Sequence, residues 1–329
     1  LIITHISPDP DTTGSALGLK RIFEKLNKTA YIVCGDKANE RMCGFFDILP
    51  DFDSAYIESI KFTPDYIFCV DAAAENQIGK YAEYCSEDIS KNKIDVVIDH
   101  HYTNSLYGKE NYIDEKAAAT GEIIYNLAKE LNFGIDQTFA KYIYCAIAAD
   151  SGSFRYASTT PHTMTAAAEL ISTGFDFARI NRLMFQNKSM TQIAIERLAY
   201  NSLKLVCGGR IAFITITLEM KKDAGLEGVD LDGINEIAKI VEGVEVGVVI
   251  KEAEPERNSH DNSDNNPAKR TFKISLRSNE YVNVAEIAAQ YGGGGHVRAA
   301  GCKVDMDEEN AAERLEQSLI EKIEKALIS

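Results

Sequence analysis

Three short apolar runs in the first hundred residues each stop on a side chain that can hold a proton or a cation. Leu1-Ile2-Ile3-Thr4 runs into His5, Tyr66 to Val70 into Asp71, and Ile94 to Ile98 into Asp99-His100-His101. Tyr31-Ile32-Val33-Cys34 is a further run of this kind. Stretches at helical spacing separate them, the first being Gly14 to Leu26 with Leu19, Ile22, Phe23 and Leu26 on one face. Apolar strands alternating with helices imply an α/β domain built on a mainly parallel sheet flanked by helices. Such sheets bind ligands outside the carboxyl ends of their strands, so these terminal polar residues are expected to converge. Helices are expected over Ala117–Leu131 and Phe139–Ala149, the second ending on Asp150, which brings a fourth segment to the same place. Thr160-Pro161 opens another helix with a cap and an N1 proline, and Gly174 stops it.

The pattern changes around Asn187-Lys188-Ser189. Met190 to Leu205 reads as one long helix, followed by strands at Arg210–Thr217, Val244–Lys251 and Phe272–Arg277. Helices are expected at Asp232–Val241, Asn283–Tyr291 and, amphipathic, at Glu308–Leu327. A chain of 329 residues accommodates two domains. The expected layout is a domain over 1–186, a linker helix over 187–205 and a smaller α/β domain over 206–329. The polar run Ala253–Thr271 reads as a solvated hairpin tip, and His260 within it is expected to have no catalytic role.

Charge narrows the partners. The formal net charge is −15, opposite to the basic stripe that proteins gripping long nucleic acid show, so a nucleotide substrate should be short. The seven cysteines include no Cys-x-x-Cys pair, which argues against a disulfide framework and a thiolate zinc site and points to a reducing, cytoplasmic setting. No apolar run approaches a membrane span and nothing reads as a signal peptide. Leu1 already lies inside an apparent strand, so the natural start is expected to be missing.

The segment after the first strand, Ser7-Pro8-Asp9-Pro10-Asp11, carries two carboxylates. Residues before proline are pushed to extended conformations, so Ser7 and Asp9 are expected to be extended, with Asp9 and Asp11 facing one side. One strand-end aspartate is usually a cap or a turn residue. His5, Asp9, Asp11, Asp71, Asp99, His100 and Asp150 together are better explained as a metal centre. Imidazole mixed with carboxylate suits manganese, magnesium, iron or zinc; manganese is the reading taken here, with magnesium as its alternative. Farther on, Gly292-Gly293-Gly294-Gly295-His296 would let backbone amides approach a phosphate.

The motifs His5-Ile6-Ser7-Pro8-Asp9-Pro10-Asp11-Thr12-Thr13-Gly14-Ser15, Asp71, Asp99-His100-His101 and Asp150-Ser151-Gly152 resemble, in order, those of DHH phosphoesterases. The glycine run with His296 and Ala299-Ala300-Gly301 resembles the signature of the associated DHHA1 domain, and the whole is most similar to nano-RNase/pAp-phosphatase proteins. The resemblance implies one divalent ion on His5, Asp9 and Asp71 and a second on Asp11, Asp71, His100 and Asp150, with Asp71 bridging. It gives Asp99 the part of orienting the histidines and has His101 face the scissile phosphate, to protonate the leaving oxygen or stabilise charge. Arg277, Ser275, Gly293, Gly294, Gly295, His296 and Arg298 would hold the substrate's terminal phosphate and base, with Arg155 reaching in from beside Asp150; His162 is read as structural. A substrate spanning the two domains would be measured by their separation. The implied activity is hydrolysis of short 5′-phosphorylated oligoribonucleotides and removal of the 3′-phosphate from adenosine 3′,5′-bisphosphate. The alternatives are a phosphodiesterase for cyclic dinucleotides or their linear products and, in another class, an inactive nucleotide-binding module. The last predicts a broken ligand set, and no expected ligand is missing. A homodimer is compatible with this reading.

Overall fold

A computed structural model describes residues 1–35, 57, 60–229, 231, 233–254, 270–307 and 310–328. The chain divides into two compact units, Leu1–Asn187 and Lys188–Ser329.

The first unit contains strands β1 (Ile2–Thr4), β2 (Ile32–Cys34), β3 (Phe68–Val70), β4 (Val96–Asp99) and β5 (Glu110–Ile113). All pair in parallel in the order β2-β1-β3-β4-β5. Period-two alternation sends neighbouring residues to opposite faces. Ile2, Ile32, Val70 and Ile98 join one core and Ile3, Val33, Cys69 and Val97 the other. Helices α1 (Pro10–Lys25), α2 (Thr120–Glu130), α3 (Gln137–Asp150) and α4 (Pro161–Ser172) pack on the first of these faces. A 3₁₀ segment over Glu75–Tyr84 supplies Ile78 and Tyr81 to the second. Chain order reverses direction between β1 and β3, and that switch point is where a doubly wound sheet opens a crevice.

Helix α1 begins earlier than its apolar spacing predicts. Asp9 caps it, its carboxylate accepting from Thr12 N at 3.0 Å, and Pro10 takes the first helical position. Asp9 is extended (φ −98°, ψ −173°), as its place before proline requires. Asp11 is already helical, so Asp9 and Asp11 are not two steps of one extended run. Glycine lets the helices meet closely. A Cβ on Gly14 would strike the Tyr142 carbonyl, one on Gly18 the Ile143 side chain, and one on Gly121 the Ala146 side chain.

After the short helix α5 (Phe177–Asn181) and one π-helical turn at Arg182–Gln186, the second unit opens with α6 (Met190–Asn201). The long helix expected to Leu205 stops at Asn201, and Leu203–Val206 form strand β6 instead. The cause is the turn Cys207-Gly208-Gly209, whose positive φ angles of 51°, 67° and 86° fold β6 back along β7 (Ile211–Ile216). Ile195 and Ala199 of α6 pack in the same core as Ala212 and Ile214 of β7. After α7 (Leu218–Asp223), the helix expected at 232–241 is absent from its described residues, which run as turns between Gly233 and Gly243, both at positive φ. Strands β8 (Val246–Glu252) and β9 (Arg270–Ser278), helix α8 (Val284–Ala289), strands β10 (Gly294–His296) and β11 (Ala299–Met306), and helix α9 (Ala311–Ile328) complete the unit. The sheet order is β10-β11-β9-β8-β7-β6, with only β7 and β8 parallel. Leu315, Leu319 and Ile323 of α9 cover the face presented by Phe213, Val248 and Phe272. Glu252 pairs with Phe272, as a hairpin between them requires, while 255–269, His260 included, lie outside the described residues.

Candidate metal centre

The sheet brings the expected side chains of the first unit to one place. His5 follows β1, Asp71 follows β3, Asp99 ends β4, and Asp150 ends α3. Ligand-type atoms of His5, Asp9 and Asp71 lie within 4.8 Å of one another, as do those of Asp11, His100 and Asp150. Asp71, Asp99, His100 and His101 form a third such group. The two oxygens of Asp71 face different neighbours: Oδ2 is 3.9 Å from His5 Nε2 and Oδ1 is 3.8 Å from His100 Nε2. Asp71 sits at φ +56°, a left-handed conformation that aspartate and asparagine adopt more readily than other side chains.

Each buried acid is held by several donors, for Asp11 and Asp71 partly from a distant segment and for Asp99 from the loop that follows it. Asp11, fully buried, accepts from Thr120 N at 2.7 Å, from Gly121 N at 2.9 Å and from Ser15 Oγ at 3.0 Å. The first two are amides at the start of α2, where the helix dipole also favours an anion. Asp71 accepts from Thr12 Oγ1 at 2.5 Å and from Thr120 Oγ1 at 3.0 Å. Asp99, also fully buried, accepts from His100 N at 2.8 Å, His101 Nδ1 at 2.7 Å and Asn104 Nδ2 at 2.7 Å. Asn104 is anchored in turn on the Ala72 carbonyl. Thr12 and Ser15 stood in the first motif with no role assigned, and Asn104 and Thr120 were not picked out by sequence.

Burial and crowded carboxylates dominate the electrostatics. Burial pushes the Asp71 carboxyl up to about 7, with the Asp9 charge adding to it and the Thr12 hydroxyl opposing. Burial, then Asp71 and Asp150, raise Asp11 well above the carboxylate range. For His100, burial acts downward, but the facing carboxylates of Asp150, Asp11 and Asp71 outweigh it and lift the imidazole to about 10. Its bond to Asp99 raises His101, while that bond and the one from Asn104 hold Asp99 low against its burial. His100 Nδ1 lies 3.3 Å from the Ala117 carbonyl, which leaves Nε2 to face Asp150 Oδ2 at 3.2 Å and Asp11 Oδ2 at 3.8 Å. That nitrogen is buried and makes no hydrogen bond. A buried imidazole nitrogen ringed by three carboxylates, two of them buried, is a donor set that a divalent cation completes.

Beside these groups lies a cavity of about 320 Å³ lined by His5, Ser7, Asp9, Asp71, His101 and Asp150, among others. It is in the size range of a small-molecule site. Arg155 does not line it; it is exposed, and its Nε donates to the Gly152 carbonyl at 2.6 Å. His162 bonds Asn126 at 2.8 Å on the surface.

In the second unit, Ser275 and Arg277 lie on β9, opposite Gly301 and Ala299 of β11. The Arg277 guanidinium is 3.4 Å from Glu236, itself half exposed. The glycine run is only partly a free loop. The amides of Gly292 and Gly293 close the end of α8 on the Ala289 and Ala288 carbonyls, and Gly294, Gly295 and His296 form the exposed strand β10. Gly293 has no room for a side chain, since a Cβ would meet the Gly301 carbonyl and Cys302. Arg298 donates to the Val282 carbonyl at 3.2 Å.

Residues 1–147 match the model of the DHH family, N-terminal domain, and residues 208–327 that of the DHHA1 domain. A bifunctional oligoribonuclease and PAP phosphatase of Thermus thermophilus is 29% identical, the match covering 99% of this chain and 90% of that protein. Its namesake in Bacillus subtilis is 23% identical over 91% of this chain and 87% of its own. The crystal structure of an exopolyphosphatase-related protein from Bacteroides fragilis superposes with a TM-score of 0.78 at 21% identity, covering 100% of this chain and 93% of that one. At that identity the likeness establishes the fold. No helix among the described residues is long and apolar enough to cross a membrane.

Proposed function

The chain belongs to the DHH family of phosphoesterases and carries a DHHA1 domain, and from that premise we propose that it hydrolyses short 5′-phosphorylated oligoribonucleotides to mononucleotides and removes the 3′-phosphate from adenosine 3′,5′-bisphosphate. The observation that carries this reading is the pair of ligand groups meeting at Asp71, one of whose oxygens faces each. The names of relatives matched over nearly their whole length support the choice of substrate.

In this reading His5, Asp9 and Asp71 would hold one manganese ion, and Asp11, Asp71, His100 and Asp150 would hold the other. Two such ions, when bound, supply an activated water and a positive clamp on the phosphoryl oxygens. The protein's own contribution is orientation. Asp99 and Asn104 fix the His101 ring through Nδ1, which leaves Nε2 for the departing oxygen, and the His101 proton goes there as the ester bond breaks. Arg277, Ser275, His296 and the neighbouring Gly293 to Gly295, with Arg298, bind the substrate's phosphate and base. Arg277 exchanges the exposed Glu236 carboxylate for a phosphate, an inexpensive exchange because an exposed ion pair contributes little.

The test is a ranking of kcat/KM with Mn²⁺ for pApA, adenosine 3′,5′-bisphosphate, cyclic di-AMP and pyrophosphate. The first two are expected to lead. Faster turnover of cyclic di-AMP would transfer the assignment to cyclic dinucleotides, and no turnover of any of the four would overturn it.

A further inference from the structure

The cavity beside the metal centre has one wall to which the proposed reaction gives no part. Besides the six side chains already named, Ile6, Asn76 and Gln77 line it. Asn76 and Gln77 belong to the first turn of the 3₁₀ segment Glu75–Tyr84, a short turn after Asp71. Gln77 is held on several sides. Its Oε1 accepts from Ala73 N at 2.6 Å and from Ala74 N at 3.2 Å, the backward reach of the third helical residue in a capping box. Its own amide donates to the Ala74 carbonyl at 3.0 Å, and its carbonyl accepts from Ile6 N at 2.8 Å, tying the segment to the chain that leaves β1.

Backbone amides only donate, so the side-chain atom facing them is the oxygen and Nε2 is the other end. The two N–H groups of Nε2 bond no described residue. Glutamate would cap the segment equally well. What glutamine adds is a fixed, uncharged donor on a cavity whose polar groups are mostly carboxylates and imidazoles.

The proposed reaction defines what such a donor would meet. Hydrolysis of pApA to two mononucleotides breaks the bond from phosphorus to the 3′-oxygen of the first nucleoside. Breaking the bond to the 5′-oxygen would instead give adenosine 3′,5′-bisphosphate and adenosine. Removal of the 3′-phosphate from adenosine 3′,5′-bisphosphate also breaks the bond to the 3′-oxygen. In both, the oxygen of water joins phosphorus and the 3′-oxygen departs as a hydroxyl with the proton from His101. The two substrates therefore share one leaving group, and its neighbour on the sugar is the ribose 2′-hydroxyl. With the phosphoryl oxygens directed to the cations and the 3′-oxygen to His101, that hydroxyl is the polar group left at the scissile end. Gln77 lines the same cavity as His101.

We propose that Gln77 Nε2 donates to the 2′-hydroxyl oxygen beside the leaving 3′-oxygen, and that Gln77 thereby selects ribose over deoxyribose at the scissile nucleotide. The inference rests on the two-metal reading above. Gln77 is exposed, so water replaces the lost partner when the hydroxyl is absent, and the discrimination from this bond is about tenfold rather than the far larger factor of a sealed pocket.

The experiment measures kcat/KM with Mn²⁺ for pApA and for two analogues, 2′-deoxy in the first or in the second sugar. Wild type is expected to lose activity on the first analogue and to keep it on the second. A deoxy sugar also makes the 3′-oxygen a poorer leaving group. That share of the loss survives every substitution, so the readout is the change between chains. Gln77→Met removes the donor at similar length and should shrink the ribo-to-deoxy ratio at the first sugar by about tenfold. A loosened 3₁₀ segment would slow all three substrates alike and leave that ratio unchanged. If Gln77→Met does not fold, as judged by circular dichroism, Gln77→Glu keeps the oxygen that the Ala73 and Ala74 amides require. A 2′-fluorine accepts but cannot donate, so in that chain the ratio of pApA to its analogue with 2′-fluorine in the first sugar should rise by about tenfold. A ratio that does not change in the variant, a collapse produced by Asn76→Ala in its place, or a wild-type loss that falls on the second sugar overturns the proposal. Absence of pApA turnover by wild type overturns the two-metal reading itself, which separates the two failures.

Discussion

The metal centre of the first unit and the glycine-rich hairpin of the second represent two ways of presenting charge. In the first, Asp11, Asp71 and Asp99 are all but inaccessible; Asp11 and Asp71 are held by donors from a distant stretch of chain and Asp99 by the loop that follows it. In the second, Gly294, Gly295 and His296 are exposed, and Arg277 is paired with a half-exposed glutamate. Burial makes unpaired charge costly and so fixes geometry, whereas exposed charge is screened and easily re-paired. Under the proposed function, the first arrangement suits a site that holds reacting atoms and the second a surface that takes up and releases nucleotides.

The largest effect should come from the residue shared by the buried groups. Asp71→Asn keeps a side chain that tolerates left-handed backbone but removes a charge from both groups, and should lower kcat/KM for pApA by more than about a thousandfold. Activity within tenfold of wild type would break the assignment of Asp71 as the shared ligand. Next is the support of His101. Asn104→Ala leaves one oxygen of buried Asp99 without its donor and should reduce kcat by about ten- to a hundredfold with little change in KM, measured at saturating Mn²⁺. A change confined to KM would remove Asn104 from the orienting chain. On the exposed side, His296→Ala should raise KM by about tenfold and alter kcat little for substrates with a terminal phosphate, and an equal effect on a substrate lacking that phosphate would sink the anchor reading.

The smallest effect sharpens the electrostatic side of the comparison. Asp71 titrates at about 7 in the folded chain against 3.8 ordinarily, chiefly because it is buried and faces Asp9. Between these values the folded chain holds a proton that the unfolded chain has lost, so stability falls as pH rises across that window. Thermal unfolding in EDTA should show a falling Tm from pH 4 to pH 7, shallower in Asp71→Asn. A slope identical in the two chains would show that Asp71 is not its source.

Sequence made the strand-ending residues legible because strand ends and ligand chemistry are both local. His5, Asp71, Asp99, His100 and Asp150 could be named from the apolar runs and the helix that they close. The start of α1 was also written locally, in the cap-and-proline pair Asp9-Pro10, although apolar spacing alone placed it four residues late. The donor roles of Thr12, Ser15 and Thr120 were not legible, since a threonine or serine in a helix has no distinguishing pattern, even where, as for Thr12 and Ser15, it stands inside a motif. The partner that gives Thr12 its meaning, Asp71, is 59 residues away. The helix expected to Leu205 failed for a related reason: its apolar spacing also fits a strand, and the choice was made by the turn Cys207-Gly208-Gly209 and the long-range pairing with β7. In the glycine run, composition suggested four available amides, but two of them close a helix whose end sequence alone does not fix.

Gly14 and Gly121 let α1 and α2 rest directly on the Tyr142 carbonyl and the Ala146 methyl of α3. These two helices carry Asp11 and the amides that hold it, and α3 ends on Asp150. The separation of the carboxylates is therefore set by a hard stop, backbone resting on helix, rather than by the compliance of interleaved rotamers. Substitutions elsewhere in the core can change how firmly the unit is clamped without altering that gauge. A single methyl group at either glycine acts as a shim, displacing the whole ligand frame while every ligand remains in place.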